Sequence, residues 1–129
     1  MYKLFGAILA GLLAGFGLQP DDCDAVQMHT FDDLLDAIAQ VESSGNSRVF
    51  NVLENAAGLY QIRPIYLADV NRLIGYRKYT LLDRFDPVKA RQIVTIYLRH
   101  YGKGKSLEAM ARIHNGGPAG WRKACTKKY

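Results

Sequence analysis

The chain of 129 residues is long enough for one domain of ordinary size and too short for two. Hydrophobic residues make up 49% and charged residues 22%, a globular composition that excludes a disordered chain, a collagen and a disulfide-dense mini-protein. Charge is unevenly divided: residues 1–64 carry three basic and eight acidic groups, residues 65–129 fourteen and four. The basic half indicates either a polyanionic partner (nucleic acid, anionic lipid or cell-wall polymer) or a surface that favours solubility.

Residues 1–18 predict a targeting segment. Lys3 and the α-amino group precede an uncharged run at residues 4–18, which matches the apolar core of a secretory signal. The run is shorter than the ~20 residues of a membrane-spanning helix, and its glycines weaken helicity. We therefore expect a signal peptide or an uncleaved signal anchor, export to the periplasm or to the face of the cell wall, and transient membrane association through residues 4–18. A buried N-terminal core helix is the alternative.

The sequence contains two cysteines, Cys23 and Cys125. In an oxidising compartment a disulfide between them closes a loop of about 100 residues, which the chain-entropy model values at roughly 4–5 kcal/mol. Two unrelated free thiols are the alternative. The sequence has neither a C-x-x-C pair nor Cys/His spacing typical of a metal site, so we expect no metal and no other cofactor.

The first predicted helix follows residues 19–29, whose polar, turn-rich composition is typical of a linker or a docked arm before a folded domain at residues 30–129. Thr30 is followed three residues later by Asp33, a variant of the capping box that predicts a helix start. The helix is predicted to end before Gly45, which suits a left-handed cap. Its apolar residues recur at helical spacing and define a core face: Phe31, Leu34, Leu35, Ile38 and Val41.

Residues 46–62 lack a 3.6-residue period and mix β-branched and aromatic residues with Asn and Gly, so they predict an irregular loop or a small β-hairpin. Prolines, polar caps and glycine stops then mark further helices. These are predicted at residues 64–74, 87–101 and 106–114, followed by a short basic helix that carries Trp121. The sequence therefore predicts a mainly α fold of about five helices with one small irregular or β-hairpin patch near residues 46–62.

Glu42 lies among the core-facing positions of the first helix. It follows Ile38 by four residues and Leu35 by seven, which puts its carboxylate on the edge of the core-facing stripe, in the last turn. A carboxylate there loses water and faces the negative end of the helix dipole, and both effects favour its protonated form. Glu42 is therefore a candidate proton donor. The alternative is that it swings out beyond the helix end or pairs with an arginine.

Three short segments place polar side chains beside glycines, where a sugar can approach the backbone closely. They are residues 42–46 (ESSGN), 58–62 (GLYQI) and 114–118 (HNGGP). In order and spacing they resemble the motifs of the soluble-type lytic transglycosylases, lysozyme-like enzymes that cut the glycan strand of peptidoglycan. Typical members read Glu-Ser-Gly or Glu-Ser-Ser, then Gly-Leu-Met-Gln-Ile, then Ala-Tyr-Asn. The resemblance covers about residues 34–122, although these glycines and Asn115 also read as helix stop signals.

The resemblance implies an α+β lysozyme-like catalytic domain at residues 30–129, with Glu42 as the catalytic acid. Tyr60 stands where the family usually has Met, which keeps an apolar body and adds a hydroxyl. His114 stands where the family usually has Tyr, which removes the hydroxyl normally offered there. The implied substrate-binding residues are Ser43, Ser44, Tyr60, Gln61, His114 and Asn115, with Ser43 or Ser44 shaping the turn behind the acid.

The resemblance also implies a reaction at the β-1,4 bond between MurNAc and GlcNAc. Glu42 would protonate the leaving oxygen and then act as base on the muramyl 6-hydroxyl, which leaves 1,6-anhydromuramyl ends. The two-carboxylate scheme of most glycosidases needs a second acid, and Glu54, in the irregular patch, is the candidate. With Glu54 in that role the bond is hydrolysed, as in goose-type and invertebrate-type lysozymes. Otherwise Glu54 is an exposed loop charge.

The expected partner is the peptidoglycan glycan strand, because the basic second half suits an anionic wall and would bind it less tightly as salt rises. Tyr97, Tyr101 and Trp121 can stack on sugars, although aromatic residues at helical spacing usually pack in a core. The competing classes are a DNA-binding helical domain, against which the predicted export argues, and a non-catalytic peptidoglycan-binding relic with His114 as the lesion. We expect a monomer without a nucleic-acid partner.

Overall fold

The computed structural model describes residues 30–129, and the predicted targeting segment, the predicted arm and Cys23 lie outside the described residues. The described part is mainly helical with one small antiparallel sheet, as the sequence predicts. Its α-helices and strands are α1 (Phe31–Ser43), β1 (Phe50–Asn51), β2 (Ala56–Ala57), α2 (Pro64–Ile74), α3 (Pro87–Tyr101) and α4 (Leu107–Gly116).

Helix α1 begins at the predicted capping box. The Thr30 hydroxyl accepts a hydrogen bond from the Asp33 amide at 3.1 Å, and the Asp33 carboxylate accepts one from the Thr30 amide at 3.0 Å. The predicted core face is correct except at Val41, which is 64% exposed. Val41 follows the buried Leu34 by seven residues and lies at the edge of the buried face, in the last turn of α1.

The patch at residues 46–62 is a hairpin, in which β1 and β2 pair antiparallel with Phe50 opposite Ala57. An isolated bridge between Ala57 and Ile62 then closes the loop that contains the Gly-Leu-Tyr-Gln-Ile segment. Gly58 opens this loop with φ +78°, and a Cβ there would lie 1.8 Å from the Arg84 carbonyl oxygen. Both constraints require glycine at this position.

Helices α2 and α3 have the predicted bounds, because prolines at their first positions and Gly75 and Gly102 at their ends are strong local signals. Helix α4 starts after its Ser106 cap as predicted but runs through Gly116, two residues beyond the predicted end. The predicted basic helix around Trp121 is instead a pair of 3₁₀ helices, Gly120–Arg122 and Ala124–Thr126. There the chain passes close to α4, since a Cβ on Gly120 would lie 2.1 Å from the Arg112 carbonyl oxygen.

The core is built around α3, whose inward side chains have essentially no exposed surface, and α1, α2 and α4 pack against it. Arg84, in the 3₁₀ helix Leu81–Phe85, is buried and donates hydrogen bonds to the carbonyl oxygens of Asn55, Ile62 and Leu81. Those bonds fix the hairpin loop against the helical core and so position the loop beside the end of α1. No helix in residues 30–129 has the length and apolarity needed to cross a membrane.

Candidate active site

The main cleft of the described residues has a volume of about 1060 Å³ and runs between the end of α1, the hairpin loop, α2 and the last turn of α4. It brings together side chains from all three predicted motifs. The lining residues that bear on chemistry near the acid are Glu42, Glu54, Gln61, His114, Asn115 and Tyr129. The cleft therefore joins groups that are as many as 87 residues apart in the sequence.

Glu42 lies in the last turn of α1 with its side chain 21% exposed. Its Oε1 accepts a hydrogen bond from the Tyr129 hydroxyl at 2.6 Å. Burial raises the pKa of Glu42 above its ordinary value, and the Glu54 charge raises it further. The Tyr129 hydrogen bond and the Arg63 charge act in the opposite direction but do not cancel the effect of burial. The raised pKa favours the protonated form of this carboxyl group, which is the form that a general acid needs.

His114 is a buried neutral side chain next to the acid. Its Nε2 lies 3.0 Å from the Tyr60 carbonyl oxygen and so donates to it, which leaves Nδ1 to accept from the Tyr66 hydroxyl at 3.2 Å. Burial lowers the pKa of His114 to about 4. Its Nε2 also lies 3.6 Å from Glu42 Oε1. Because the ring is neutral near pH 7, this contact is not an ion pair, and Glu42 keeps its raised pKa.

Gln61 presents an acceptor to the cleft. Its Nε2 donates to the carbonyl oxygens of Val49 at 3.2 Å and Gly58 at 3.0 Å, which uses both amide hydrogens. The backbone of Gln61 is in the left-handed region with φ 48°. A sugar hydroxyl or N–H can therefore be accepted by Oε1, the atom of this side chain that remains for a ligand.

Asn115 lines the same cleft from the last turn of α4, and its side chain is exposed. It follows His114 directly, so the buried histidine anchors the turn from which the amide projects. The structure thus places Glu42, Gln61, His114 and Asn115 around one cleft, as expected from the motifs.

Glu54 borders this cleft on the hairpin turn, and its environment is the opposite of that of Glu42. Its side chain is 51% exposed, and its Oε2 accepts a hydrogen bond from Arg63 Nη2 at 2.9 Å. The negative charge of Glu54 also raises the pKa of Glu42. Glu54 is thus an exposed, ion-paired carboxylate at the edge of the cleft, near enough to affect Glu42.

The family model of the transglycosylase SLT domain matches residues 25–129. This chain belongs to that family. The match confirms the resemblance that the three motifs predicted and makes the chain a peptidoglycan-cleaving, lytic-transglycosylase-type domain at the level of the family. No curated protein and no solved structure matches the chain significantly.

Three residues of the predicted substrate-binding set do not line the cleft of this SLT domain. Ser43 is buried, and its hydroxyl lies 3.0 Å from the Ala39 carbonyl oxygen and 2.8 Å from that of Leu59, so it ties the hairpin loop to α1. Ser44 is exposed at the C-cap of α1 in the left-handed conformation, with φ 51°, and Gly45 follows in the predicted left-handed conformation, with φ 76°.

Tyr60 is the third of these residues, and its side chain is fully buried. Its hydroxyl accepts a hydrogen bond from Arg91 on the far side of the loop, and its carbonyl oxygen holds His114. Ser43 and Tyr60 therefore support the region behind Glu42 through hydrogen bonds that involve backbone carbonyl oxygens. Residue 60 lies in the core, whereas residue 61 lines the cleft.

Tyr129 is the site residue that the sequence reasoning missed. It supplies a hydroxyl to the acid in a domain where the usual motif tyrosine is replaced by His114, which has no hydroxyl. No local pattern marks Tyr129, which follows a run of basic residues. Its contact depends on the 3₁₀ turns that carry the chain back to α1.

The aromatic residues proposed for sugar stacking divide into two groups. Tyr97 and Tyr101 line the cleft. Trp121 does not, and its ring is covered by cations, with Lys105 Nζ 4.6 Å and the Arg122 guanidinium 4.5 Å from the ring centroid. A ring occupied in this way is a poor platform for a sugar.

Cys125 is exposed and lines the cleft near Tyr129, and it has no disulfide partner within residues 30–129. Its expected partner Cys23 is outside the described residues, so the disulfide stays a prediction. In residues 30–129 no group of three or more His, Cys, Asp or Glu side chains is placed to hold a metal ion.

Proposed function

We propose that this chain is a lytic transglycosylase that cleaves the β-1,4 bond between MurNAc and GlcNAc with Glu42 as its one catalytic carboxyl group. The observation that carries the proposal is the environment of Glu42, which combines a shielded carboxyl, a raised pKa and a hydroxyl donor on one oxygen inside a cleft that also holds Gln61 and Asn115. Membership of the transglycosylase SLT domain family supports the same substrate class.

The reaction follows from the two protonation states of Glu42. The protonated carboxyl gives its proton to the glycosidic oxygen as the bond from that oxygen to C1 of MurNAc breaks. The resulting carboxylate then takes the proton of the muramyl 6-hydroxyl while that oxygen bonds to C1, which closes the 1,6-anhydro ring. Glu42 ends the cycle protonated, and no water is consumed. Tyr129 holds the oxygen in place through both steps.

Hydrolysis with Glu54 as a second acid is the alternative reaction, and one observation favours it: Glu54 lines the same cleft. To act as base, its carboxylate must hold a water molecule against C1. Arg63 instead takes one of its oxygens at 2.9 Å. This ion pair supports transglycosylation, because it occupies the group that would otherwise activate water.

The proposed place of action is the cell wall, after export of the protein as a monomer to the periplasm or the wall-facing side of the membrane. Basic side chains of the second half that are exposed in the structure include Arg99, Lys103, Arg122, Lys127 and Lys128. They attract the carboxylates and phosphates of the wall over a distance set by salt, so binding to sacculi weakens as ionic strength rises.

Mass analysis of the fragments released from purified peptidoglycan tests this proposal. Wild-type protein is expected to release 1,6-anhydromuramyl ends, and Glu42→Gln is expected to release none. Glu108→Gln is the matched control, because Glu108 is an exposed glutamate on α4 outside the cleft. Reducing ends from the wild type would favour hydrolysis, and equal release by Glu42→Gln would remove Glu42 from the mechanism. Binding of sacculi without release would identify a non-catalytic module.

A further inference from the structure

A second polar cluster lies in the same cleft, away from the acid. Along α2, Ala68, Asp69 and Arg72 line the cleft and therefore share one face of the helix. At 1.5 Å per residue, Asp69 is about 9 Å along the helix from Arg63, which lies at the Glu42 end. Tyr101 of α3 lines the cleft opposite this face.

The three polar side chains of this cluster form a closed network. The Tyr101 hydroxyl donates to Asp69 Oδ2, and Arg72 Nε donates to Asp69 Oδ1 at 3.0 Å. Arg72 Nη2 donates to Asp69 Oδ1 and to the Tyr101 hydroxyl. Burial raises the pKa of Asp69, but the hydrogen bonds from Tyr101 and Arg72 outweigh burial and hold the pKa below its ordinary value. Asp69 is thus a charged acceptor with only 21% of its side chain exposed.

An aromatic wall joins this cluster to the acid. The rings of Tyr66 and Tyr97 stack with centroids 3.7 Å apart, and Tyr101 follows at 4.8 Å from Tyr97. At its other end the Tyr66 hydroxyl holds His114, which contacts Glu42. The wall is continuous, so a polymer that lies across Glu42 along this side of the cleft reaches Asp69 and Arg72.

The hydrogen-bonding capacity that remains in the cluster defines the ligand chemistry. Asp69 Oδ2 accepts one hydrogen bond and keeps a free lone pair, and Arg72 Nη1 donates to no other group in residues 30–129. The opposite charges of the pair cancel, so an anionic ligand gains little here. A neutral group that both donates and accepts, such as a sugar hydroxyl or an acetamido group, satisfies both free positions.

We propose that Asp69, Arg72 and Tyr101 form a sugar-binding subsite that holds an N-acetylated hexosamine unit of the glycan strand at a distance from the bond that Glu42 cleaves. The inference rests on the proposed function, because it takes the glycan strand as the polymer in the cleft. It predicts that affinity for a long oligosaccharide depends on Asp69.

Titration of chitohexaose into Glu42→Gln protein, which cannot cleave, tests the subsite. The parent variant is expected to bind the hexamer with movement of the Tyr101 ring resonances in NMR spectra. Adding Asp69→Asn is expected to weaken the affinity by about tenfold, the scale of one hydrogen bond to a charged group. Tyr101→Phe removes a single hydroxyl and is expected to weaken it less, in the same direction.

Asp83→Asn is the matched control, because Asp83 pairs with Lys89 outside the cleft in the same manner. Unchanged Tyr101 resonances on binding, or equal affinities of the Asp69→Asn and Asp83→Asn proteins, would overturn the subsite and leave the proposed function intact. Failure of the parent variant to bind chitohexaose would count against the proposed function itself. Melting temperatures of all variants distinguish a loss of binding from a loss of folding. If Asp69→Asn does not fold, the affinity of Tyr101→Phe is compared with that of the parent variant instead.

Discussion

Glu42 and Glu54 border the same cleft and have opposite environments. Glu42 lies at a helix end, mostly shielded from water, with a neutral histidine and a tyrosine hydroxyl as neighbours. Glu54 lies on a hairpin turn, half exposed and paired with Arg63. The first environment raises the pKa of Glu42 and so favours its protonated form. In the second, Arg63 holds one oxygen of the Glu54 carboxylate. The difference shows that the surroundings of a carboxyl group, and not its presence in a cleft, decide which reaction it can catalyse.

Substitution of Glu42 is expected to have the largest effect on activity. Glu42→Gln keeps the shape of the side chain but cannot give up a proton, so release of fragments from peptidoglycan is expected to fall by about 10²–10⁴-fold. Glu54→Gln is expected to change the rate by less than about threefold, because an exposed ion pair contributes little. Initial rates of fragment release measure both effects. Similar losses in the two variants would mean that both carboxyl groups act in the chemistry.

Loss of the Tyr129 hydroxyl is expected to have the next largest effect. Its hydrogen bond stabilises the Glu42 carboxylate and so lowers the Glu42 pKa. Tyr129→Phe therefore raises that pKa, and the basic limb of the pH–rate profile, where the acid loses its proton, moves to higher pH. The rate at the optimum is expected to fall about tenfold, because the acid loses its positioning contact.

Tyr76→Phe is the control for that experiment, since Tyr76 is exposed and outside the cleft. A basic limb that stays in place in Tyr129→Phe, with only a lower rate, would reduce Tyr129 to a structural role.

The smallest effect is expected for substitution of Arg63, which forms an ion pair with Glu54. Arg63→Gln frees the Glu54 carboxylate to hold a water molecule, and the fraction of hydrolysed products is expected to rise about two- to threefold, in keeping with a half-exposed ion pair. Mass analysis of the product ends measures this ratio. Arg63→Gln combined with Glu54→Gln is expected to restore the wild-type ratio. A ratio that rises equally in the double variant would show that the released Glu54 is not the cause.

Local signals predict the four α-helices of residues 30–129, but not the 3₁₀ helices that follow α4. Thr30, Asp86 and Ser106 cap helices through their side chains, and prolines begin α2 and α3, so each start depends on a few adjacent residues. The same holds for the motif residues Gln61 and Asn115, which follow from short segments. Where a boundary depends on distant packing, as at the end of α4, the sequence prediction is two residues short.

The rest of the site depends on contacts between distant segments, which no local pattern encodes. Tyr129 reaches Glu42 across 87 residues of sequence, and Asp69 meets Tyr101 only because α2 packs on α3. Helical spacing predicts Val41 in the core, but it lies at the edge of the buried face and is 64% exposed. The register places Glu42, the acid, in the apolar stripe, and this exception to the hydrophobic pattern is the feature of the sequence that best predicts the site.

The central claim concerns the proton on Glu42, and a direct titration of that group tests it. Protein labelled with ¹³C at glutamate carboxyl carbons, with Glu42→Gln used to assign the resonance, gives the pKa of this one side chain by NMR. The account predicts a midpoint above the ordinary glutamate value, and a further rise in Tyr129→Phe. A midpoint at or below the ordinary value would contradict the assignment of Glu42 as the proton donor.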